Sequence, residues 1–282
     1  MTVALLGAGD IRRLAAELDV TPTKKLGQNF VVDANTVRKI VHLAKVEAGE
    51  QVVEIGPGLG SLTLAILEQD AHVTAVEIDE RLAARLPQTA RESGVDDGAL
   101  TVVTADALRV TQLPDDPTVL VANLPYNVSV PVLLHFLETF AQLRRGVVMV
   151  QAEVGERLAA PPGSRVYGAP SVKAAWYGPF TLAGRVSRQV FWPVPNVDSV
   201  LVAFERDAEP RGTEAERLRT FQIVDAAFGQ RRKMLRQSLS GVLGGSAAEA
   251  SSVLDAAQVD ATARGESLTV DDFLRIARIS IP

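Results

Sequence analysis

The sequence of 282 residues contains no cysteine and only three histidines, which stand far apart. A chain without cysteine forms neither disulfides nor thiolate metal sites, so the reducing cytoplasm is its expected setting. The scattered histidines argue against a zinc site and against a histidine-activated nucleophile, and we expect no metal ion. No apolar run reaches the length of a membrane span, and no basic segment precedes the first apolar residues as in a signal peptide.

A net positive charge is also absent, because the formal charge at pH 7 is −5. This balance does not by itself indicate a nucleic-acid-binding protein. The basic residues are nevertheless clustered, so a basic face on an acidic protein remains open. The clusters are Lys24 with Lys25, Arg144 with Arg145, Arg185 with Arg188, and Arg231, Arg232 and Lys233 with Arg236.

The segment 51–77 has the order strand, glycine turn, helix, strand. The apolar strand 51–55 runs into Gly56-Pro57-Gly58-Leu59-Gly60, where glycines let the backbone approach a ligand beside a helix N-terminus. The spacing is neither that of pyrophosphate-binding GxGxxG turns nor that of a P-loop. Glu77 follows the next strand at the offset where an acid accepts ribose hydroxyls. We therefore favour a nucleoside cofactor over a purely structural turn.

Polar residues also follow the third and fourth predicted strands, 100–104 and 118–122. Asp106 could bind an adenine amino group or simply act as a cap. The fourth strand leads into Asn123-Leu124-Pro125-Tyr126, at the edge where open α/β sheets bind ligands. An Asn oxygen and a backbone carbonyl can accept from one amino group, and a Tyr ring can stack on the heterocycle that carries it. Alone, this tetrapeptide fits an active site and an ordinary turn equally well.

The remaining chain extends this pattern to a seven-stranded sheet with five parallel strands and a terminal hairpin. The charged stretch 205–216 marks a domain boundary, beyond which the sequence predicts only helices. The loop 24–30 suits either a lid over a polar ligand or a solvated linker. Further strands are predicted at 146–150, 181–190 and 199–204. Helices are predicted at 10–18, 34–46, 61–68, 83–92 with an interruption near Pro87, 130–140, 153–158, 218–228, 233–243, 247–257 and 270–279.

These motifs resemble a known family. The stretch from Glu54 to Gly60, with Glu77 and Asp106, resembles the cofactor site of class I S-adenosylmethionine-dependent methyltransferases. Asn123 to Tyr126 is similar to the [DNS]PPY-type motif of enzymes that methylate exocyclic amino groups of bases. Segment 25–30 is similar to the GQNF signature of the KsgA (RsmA) ribosomal RNA adenine dimethyltransferases. Further agreement comes from Phe191-x-Pro193-x-Pro195-x-Val197-x-Ser199 and from Phe228-x-Gln230-Arg231-Arg232-Lys233-x-Leu235-Arg236-x-Ser238-Leu239.

Agreement with the KsgA family runs in order from about residue 21 to 240, with departures at Gly229 and 183–187. The related Erm methyltransferases share the fold and the Asn-x-Pro-Tyr site, but the NLPYN and FxQRRKxLRxSL stretches favour KsgA. The resemblance implies an α/β fold: a Rossmann-like seven-stranded methyltransferase sheet, mostly parallel with one antiparallel terminal strand, and a small all-helical C-terminal domain. We place an N-terminal arm at 1–20, the catalytic domain at 21–207 and the helical domain at 208–282.

The resemblance also implies roles for single residues. Phe191 closes the second face of the target base or packs in the core, and the basic residues hold RNA or form a solvated face. Expected contacts to S-adenosylmethionine are Asn29, Val31, Gly56, Gly58, Glu77, Ile78, Asp106, Ala107 and Asn123. Expected catalytic residues are Asn123, Leu124, Pro125, Tyr126 and Phe191. Expected RNA contacts are Lys24, Lys25, Arg231, Arg232, Lys233 and Arg236.

The implied activity is transfer of two methyl groups to each of two adjacent adenines in the 3′-terminal hairpin of small-subunit rRNA. The implied partner is an immature small subunit, on which the enzyme acts as a monomer late in subunit assembly. Two alternatives stay open, an Erm-type large-subunit methyltransferase and a non-catalytic RNA-binding assembly factor. For catalysis, the sequence predicts alignment of an already activated methyl group without a strong general base.

Overall fold

A computed structural model gives the fold, and it describes residues 3–20 and 29–281. Within these ranges the strands are β1 (Phe30–Val31), β2 (Gln51–Ile55), β3 (His72–Glu77), β4 (Leu100–Thr104), β5 (Val119–Asn123), β6 (Arg145–Gln151), β7 (Phe180–Val186), β8 (Phe191–Trp192) and β9 (Ser199–Glu205). The helices are α1 (Ala8–Glu17), α2 (Ala34–Leu43), α3 (Ser61–Leu67), α4 (Glu80–Glu92), α5 (Ser129–Thr139), α6 (Ala152–Leu158), α7 (Ala169–Ala175), α8 (Glu214–Gly229), α9 (Leu235–Ser238), α10 (Ala247–Ala256) and α11 (Val270–Ser280), with short 3-10 turns at Arg188–Val190 and Gly265–Ser267.

Seven of the strands form one sheet in the order β4-β3-β2-β5-β6-β9-β7. The strands from β4 to β6 in this order are parallel, and β9 pairs antiparallel with β6. In β5 the residues Val119 to Ala122 are all fully buried, as expected for a parallel strand covered on both faces. The predicted α/β fold class is therefore confirmed.

The strand order reverses direction between β2 and β5. From β2 the chain proceeds outward through β3 to β4, and it then returns to the other side of β2 as β5 and β6. Such a switch point leaves a crevice at the carboxyl ends of the two central strands. Gly56 follows the end of β2 and Asn123 ends β5, so the two strongest sequence motifs meet at this crevice.

Helix α4 runs without interruption through Pro87, so the expected break at this residue is wrong. The helix begins at Glu80, after Asp79, whose side chain accepts from the Arg81 backbone N–H. One face, with Leu82 and Leu86, is buried. Burial of this face outweighs the single hydrogen bond that a proline removes from a helix interior.

The predicted helix 233–243 is much shorter in the structure, because α9 covers only Leu235–Ser238. The backbone N–H groups of Leu235 and Arg236 donate to the carbonyl groups of Ala263 and Ala261. These bonds tie the segment to a distant part of the chain and place its start in a turn. The strand expected at 181–190 likewise ends at Val186.

Two compact units divide the chain, one of residues 1–155 with 181–206 and one of 156–180 with 207–282. Residues 156–180 thus cluster with the C-terminal helices, whereas we had expected them in the catalytic domain. Helix α1 clusters with the sheet, since Ile11 and Leu14 share a buried cluster with Leu59 and Leu82. The assignment of functions to these parts stays a prediction. Within the described ranges, no helix is both long and apolar enough to cross a membrane.

Candidate active site

A cavity of about 280 Å³ opens at the carboxyl ends of β2, β3, β4 and β5. All nine residues expected to contact a cofactor line its wall, although their contacts with a ligand stay a prediction. The nine residues are Asn29, Val31, Gly56, Gly58, Glu77, Ile78, Asp106, Ala107 and Asn123.

The glycine turn gives this cavity its floor. Gly56, Gly58 and Gly60 have φ angles of 68°, 59° and 99°, in the left-handed region that favours glycine. A Cβ on Gly56 would meet only Pro125 Cδ, at 4.0 Å, so the space in front of this residue is open. A Cβ on Gly58 would lie 2.9 Å from Phe30 Cε1. The turn therefore brings bare backbone to the cavity, as a closely held ligand requires.

Glu77 ends β3 and is almost completely buried. Its Oε2 accepts from the Gly58 backbone N–H and its Oε1 from that of Asp79, each at 3.0 Å. Burial raises the pKa of Glu77, while the backbone N–H groups oppose that rise. Each carboxylate oxygen has a second lone pair, so the group can still accept two hydroxyl hydrogens from a ribose.

Glu54 is a cavity residue for which the sequence predicted no role of its own. It is buried in β2, and its Oε2 accepts from the Thr63 hydroxyl at 2.6 Å. Burial raises the pKa of Glu54 to about 8; the Thr63 bond lowers it, and the nearby Glu77 raises it further. An acid inside the otherwise apolar run of β2 was the signal that could have identified it.

Asp106 lies in the turn that follows β4, and both of its expected roles stay compatible with the structure. Its Oδ1 accepts from the Leu108 backbone N–H at 2.9 Å, which is the capping role. Its Oδ2 lies 3.7 Å from Arg109 Nε, beyond hydrogen-bond distance. This second oxygen is therefore the one that an adenine amino group could reach.

Asn123 is held by a residue 94 positions away, because its Nδ2 donates to the Asn29 backbone oxygen at 3.0 Å. The Leu124 N–H donates to the Met149 carbonyl at 3.1 Å, which continues the pairing of β5 with β6. Within the described residues, neither Asn123 Oδ1 nor the Leu124 carbonyl accepts a hydrogen bond. The fold thus fixes the donors of this segment and leaves two acceptors beside the cavity.

The two expected base-stacking residues have different surroundings. Tyr126 is half-buried, and its hydroxyl lies 2.8 Å from Ser199 Oγ. Burial raises the pKa of Tyr126 and the Ser199 bond lowers it. Phe191 is 2% exposed, pairs with Val31 and belongs to the core cluster, outside the cavity wall. This placement favours core packing, the alternative that the sequence left open for Phe191.

A family model for ribosomal RNA adenine dimethylases matches residues 21–280 of this chain. The chain belongs to this family. It is therefore a methyltransferase that takes methyl groups from S-adenosylmethionine, and the resemblance to KsgA enzymes is confirmed.

Curated relatives are similar over nearly the whole chain. The chain is 65% identical to the ribosomal RNA small subunit methyltransferase A of Leifsonia xyli, over 97% of this chain and 98% of the relative. It is 60% identical to the protein of the same name from Thermobifida fusca, over 97% and 95% of the two chains. Both names point to small-subunit rRNA, so the Erm-type alternative is not favoured.

Solved structures agree with the fold. A dimethyladenosine transferase from Plasmodium falciparum has a TM-score of 0.76 at 24% identity, over 88% of this chain and 95% of that one. The 23S rRNA methyltransferase ErmE has a TM-score of 0.67 at 26% identity, over 89% and 99%. At 24% identity, the likeness to the Plasmodium falciparum structure supports the Rossmann-like fold alone.

The expected RNA contacts are only partly described. Lys24 and Lys25 lie outside the described residues, as does most of the candidate lid 24–30. Arg231, Arg232 and Lys233 are exposed in the turn between α8 and α9, whereas the predicted helix 233–243 had included Lys233. Arg236 is half-buried in α9.

Among these basic residues, Arg231 is tied within its own unit. Its Nε donates to Glu266 Oε2 at 3.0 Å and its Nη2 to the Arg165 carbonyl at 2.7 Å. These bonds hold the turn, in which the neighbouring Arg232 and Lys233 are exposed. Their contact with RNA stays a prediction.

Proposed function

We propose that this chain dimethylates the exocyclic amino groups of two adjacent adenosines in the 3′-terminal hairpin of small-subunit rRNA. One observation carries this proposal. Asn123 is held through its Nδ2 by the Asn29 carbonyl and lines the cofactor cavity; within the described residues, neither its Oδ1 nor the adjacent Leu124 carbonyl accepts a hydrogen bond. This is the arrangement that an incoming amino group requires.

The cavity fits S-adenosylmethionine by its chemistry. Glu77 can accept the ribose hydroxyls, and Asp106 Oδ2 can accept from the adenine amino group. The buried acid Glu77 lies where a ligand that carries positive charge would favour its ionised form. The open space before Gly56 lets the ligand lie against the backbone. When bound, the cofactor supplies a methyl group on a positively charged sulfur.

Asn123 and Leu124 would orient and polarise the attacked amino nitrogen. The adenine amino group is a poor nucleophile because its lone pair is delocalised into the ring. Donating both hydrogens to Asn123 Oδ1 and the Leu124 oxygen favours a more tetrahedral nitrogen, whose lone pair then points out of the ring plane. The same oxygens stabilise the positive charge that develops on this nitrogen.

Proton removal needs no strong base in this site. A methylated amino nitrogen that has become cationic is acidic, so its proton can pass to water. Within the described residues, no histidine lines the cavity; His135 on α5, for example, hydrogen-bonds to the Val110 carbonyl. Most of the catalytic effect would therefore come from alignment.

Tyr126 would stack on the target adenine after the base leaves its helical stack. The side chain follows Asn123 by three residues and lies outside the wall of the cofactor cavity. A half-buried ring beside the two acceptors can carry a base whose amino group points at them.

The physiological partner is ribosomal RNA within an immature small subunit, and the enzyme acts as a cytoplasmic monomer. The exposed basic turn at 231–233 supports the RNA partner, since cations hold an RNA backbone without reading its sequence. The absence of cysteine suits the reducing cytoplasm.

A transfer assay with labelled S-adenosylmethionine tests the substrate class. The wild-type protein and Asn123→Ala are incubated separately with immature small subunits and with naked large-subunit rRNA. Label in the small-subunit hairpin, abolished by the substitution, is the expected result. Label confined to large-subunit rRNA would establish the Erm-type activity instead, and RNA binding without transfer would indicate a non-catalytic assembly factor.

A further inference from the structure

The hydrogen bond between Tyr126 and Ser199 joins the catalytic segment to the antiparallel end of the sheet. The hydroxyl oxygens are 2.8 Å apart, although the residues are 73 positions apart in the chain. Asn123 and Tyr126 are thus anchored separately, the first to the Asn29 carbonyl and the second to Ser199. The two groups that would meet the target base are each fixed by a distant residue.

Ser199 is itself held firmly. It is 1% exposed and begins β9, where it pairs with Gln151 of β6. The preceding carbonyl, that of Asp198, accepts from the Ala152 N–H at 2.9 Å, and the Asp198 side chain pairs with Arg188 at 3.0 Å. A hydroxyl on such a rigid strand is a precise anchor for a ring at the end of another strand.

The bond also decides how free the Tyr126 ring is. A tyrosine side chain has two rotatable bonds, and its ring is otherwise held only by packing. Removal of the Ser199 hydroxyl would take away the hydrogen-bond partner that the half-buried Tyr126 hydroxyl has among the described residues. The ring would then adopt several positions relative to Asn123.

We infer that Ser199 is a positioning residue for methyl transfer, acting through the ring of Tyr126. This inference rests on the stacking role proposed above for Tyr126. Ser199 holds the ring in the one position where a stacked adenine directs its amino group at Asn123 Oδ1 and the Leu124 carbonyl. The antiparallel terminal strand β9 therefore contributes to the active site through this serine.

Removal of the hydroxyl from either partner tests the bond. Ser199→Ala and Tyr126→Phe should each lower kcat with RNA roughly threefold to tenfold, the effect of one hydrogen bond. The double variant should lose no more than either single variant, because both changes break the same bond. Ser199→Thr, which keeps a hydroxyl and suits a strand, should restore the rate. Cofactor affinity, measured by calorimetry, should be unchanged in all four.

Ser171→Ala is a matched control for lost stability. Ser171 is another buried serine, and its hydroxyl donates to the Arg157 carbonyl. Both residues belong to the unit that does not contain Ser199. This variant should lower the Tm without changing kcat, whereas Ser199→Ala should change kcat at a temperature where both are folded. Tyr126→Phe tests the same bond if Ser199→Ala does not fold.

The outcomes separate this inference from the function on which it rests. A wild-type kcat in Ser199→Ala and Tyr126→Phe, with a large loss in Tyr126→Ala, would overturn the positioning role alone. Additive losses in the double variant would also overturn it, since the two hydroxyls would then act independently. A wild-type kcat in Tyr126→Ala would overturn the stacking role and this inference with it.

Discussion

The catalytic segment 123–126 and the basic turn 231–233 differ in how the fold holds them. Asn123 and Tyr126 are each fixed by a hydrogen bond from a distant part of the chain. In the basic turn Arg231 alone has such bonds to other described residues, and Arg232 and Lys233 are exposed. Methyl transfer needs atoms aligned closely, whereas holding a phosphate backbone needs charge at roughly the right place. We therefore expect substitutions in the two regions to differ in size and kind.

The largest expected effect is that of Asn123→Ala. Loss of the side-chain acceptor should lower kcat by about 10²–10³-fold, as for removal of one preorganised polar group from an active site. Cofactor affinity should fall much less, because the other residues of the cavity remain. Single-turnover transfer and calorimetric titration of the cofactor separate the two. Equal losses in both would mean that Asn123 serves only cofactor binding.

Tyr126→Ala should have the next largest effect. Removal of a ring that stacks on one base costs roughly 1–3 kcal/mol, or about fivefold to 150-fold in kcat/KM for RNA. Cofactor affinity should stay close to that of the wild type, since Tyr126 lies outside the cavity wall. If both fall equally, the ring is structural only.

Gly56→Ala tests the cofactor cavity and has a matched control in Gly49→Ala. Both glycines have positive φ angles, 68° and 78°, and a Cβ on either meets open space. Each change should cost about 1–2 kcal/mol of stability through backbone strain. Only Gly56→Ala should also weaken cofactor binding, roughly tenfold or more, because its methyl group enters the cavity. Equal cofactor affinities in the two variants would contradict this.

Neutralising the basic turn should have a smaller and more uniform effect. Arg232→Ala with Lys233→Ala should weaken RNA binding for all sequences alike and reduce the slope of log affinity against log salt by about 1 per lost contact. Arg12→Ala with Arg91→Ala removes the same charge from exposed positions elsewhere and should leave the slope nearly unchanged. Equal slopes in the two double variants would exclude a specific role for the turn.

The raised pKa of Glu54 predicts that the stability of the folded protein depends on pH. Because its pKa is raised to about 8, the folded protein keeps a proton that the unfolded chain releases above pH 4.5. Wild-type stability should therefore fall between about pH 4.5 and 8, by on the order of a few kcal/mol. Glu54→Gln, which is neutral throughout, should lose this fall in a series of Tm measurements.

Glu80→Gln is the control for this pH series, since Glu80 is exposed. It should keep the pH dependence of the wild type. A parallel course of wild type and Glu54→Gln from pH 5 to pH 8 would show that Glu54 ionises normally despite its burial.

The residues predicted to bind the cofactor line one cavity because they stand next to strand ends in the chain, and their contacts with the cofactor stay a prediction. Gly56, Glu77, Asp106 and Asn123 each follow or end an apolar run, and the parallel sheet brings these ends together. These signals are local, so no tertiary contact had to be known. The number of strands and the five parallel ones followed from the same alternation of strands and helices.

The remaining features depend on contacts between distant segments. The anchoring of Tyr126 by Ser199 joins residues 73 positions apart, and no local pattern marks it. The predicted helix 233–243 starts later, at Leu235, where Leu235 and Arg236 donate backbone bonds to 261–263. The break expected at Pro87 was outweighed by burial of one helix face. In each case tertiary structure overrode local propensity.

The most direct test of the proposed function is identification of the product nucleoside. Small subunits that lack the modification are treated with the wild-type protein and S-adenosylmethionine, and the 3′-terminal rRNA fragment is digested and analysed by mass spectrometry. We predict N6,N6-dimethyladenosine at two adjacent positions of the hairpin, and unmodified adenosine with Asn123→Ala. Methylation at another atom or another site, or an unchanged yield with Asn123→Ala, would contradict the proposal.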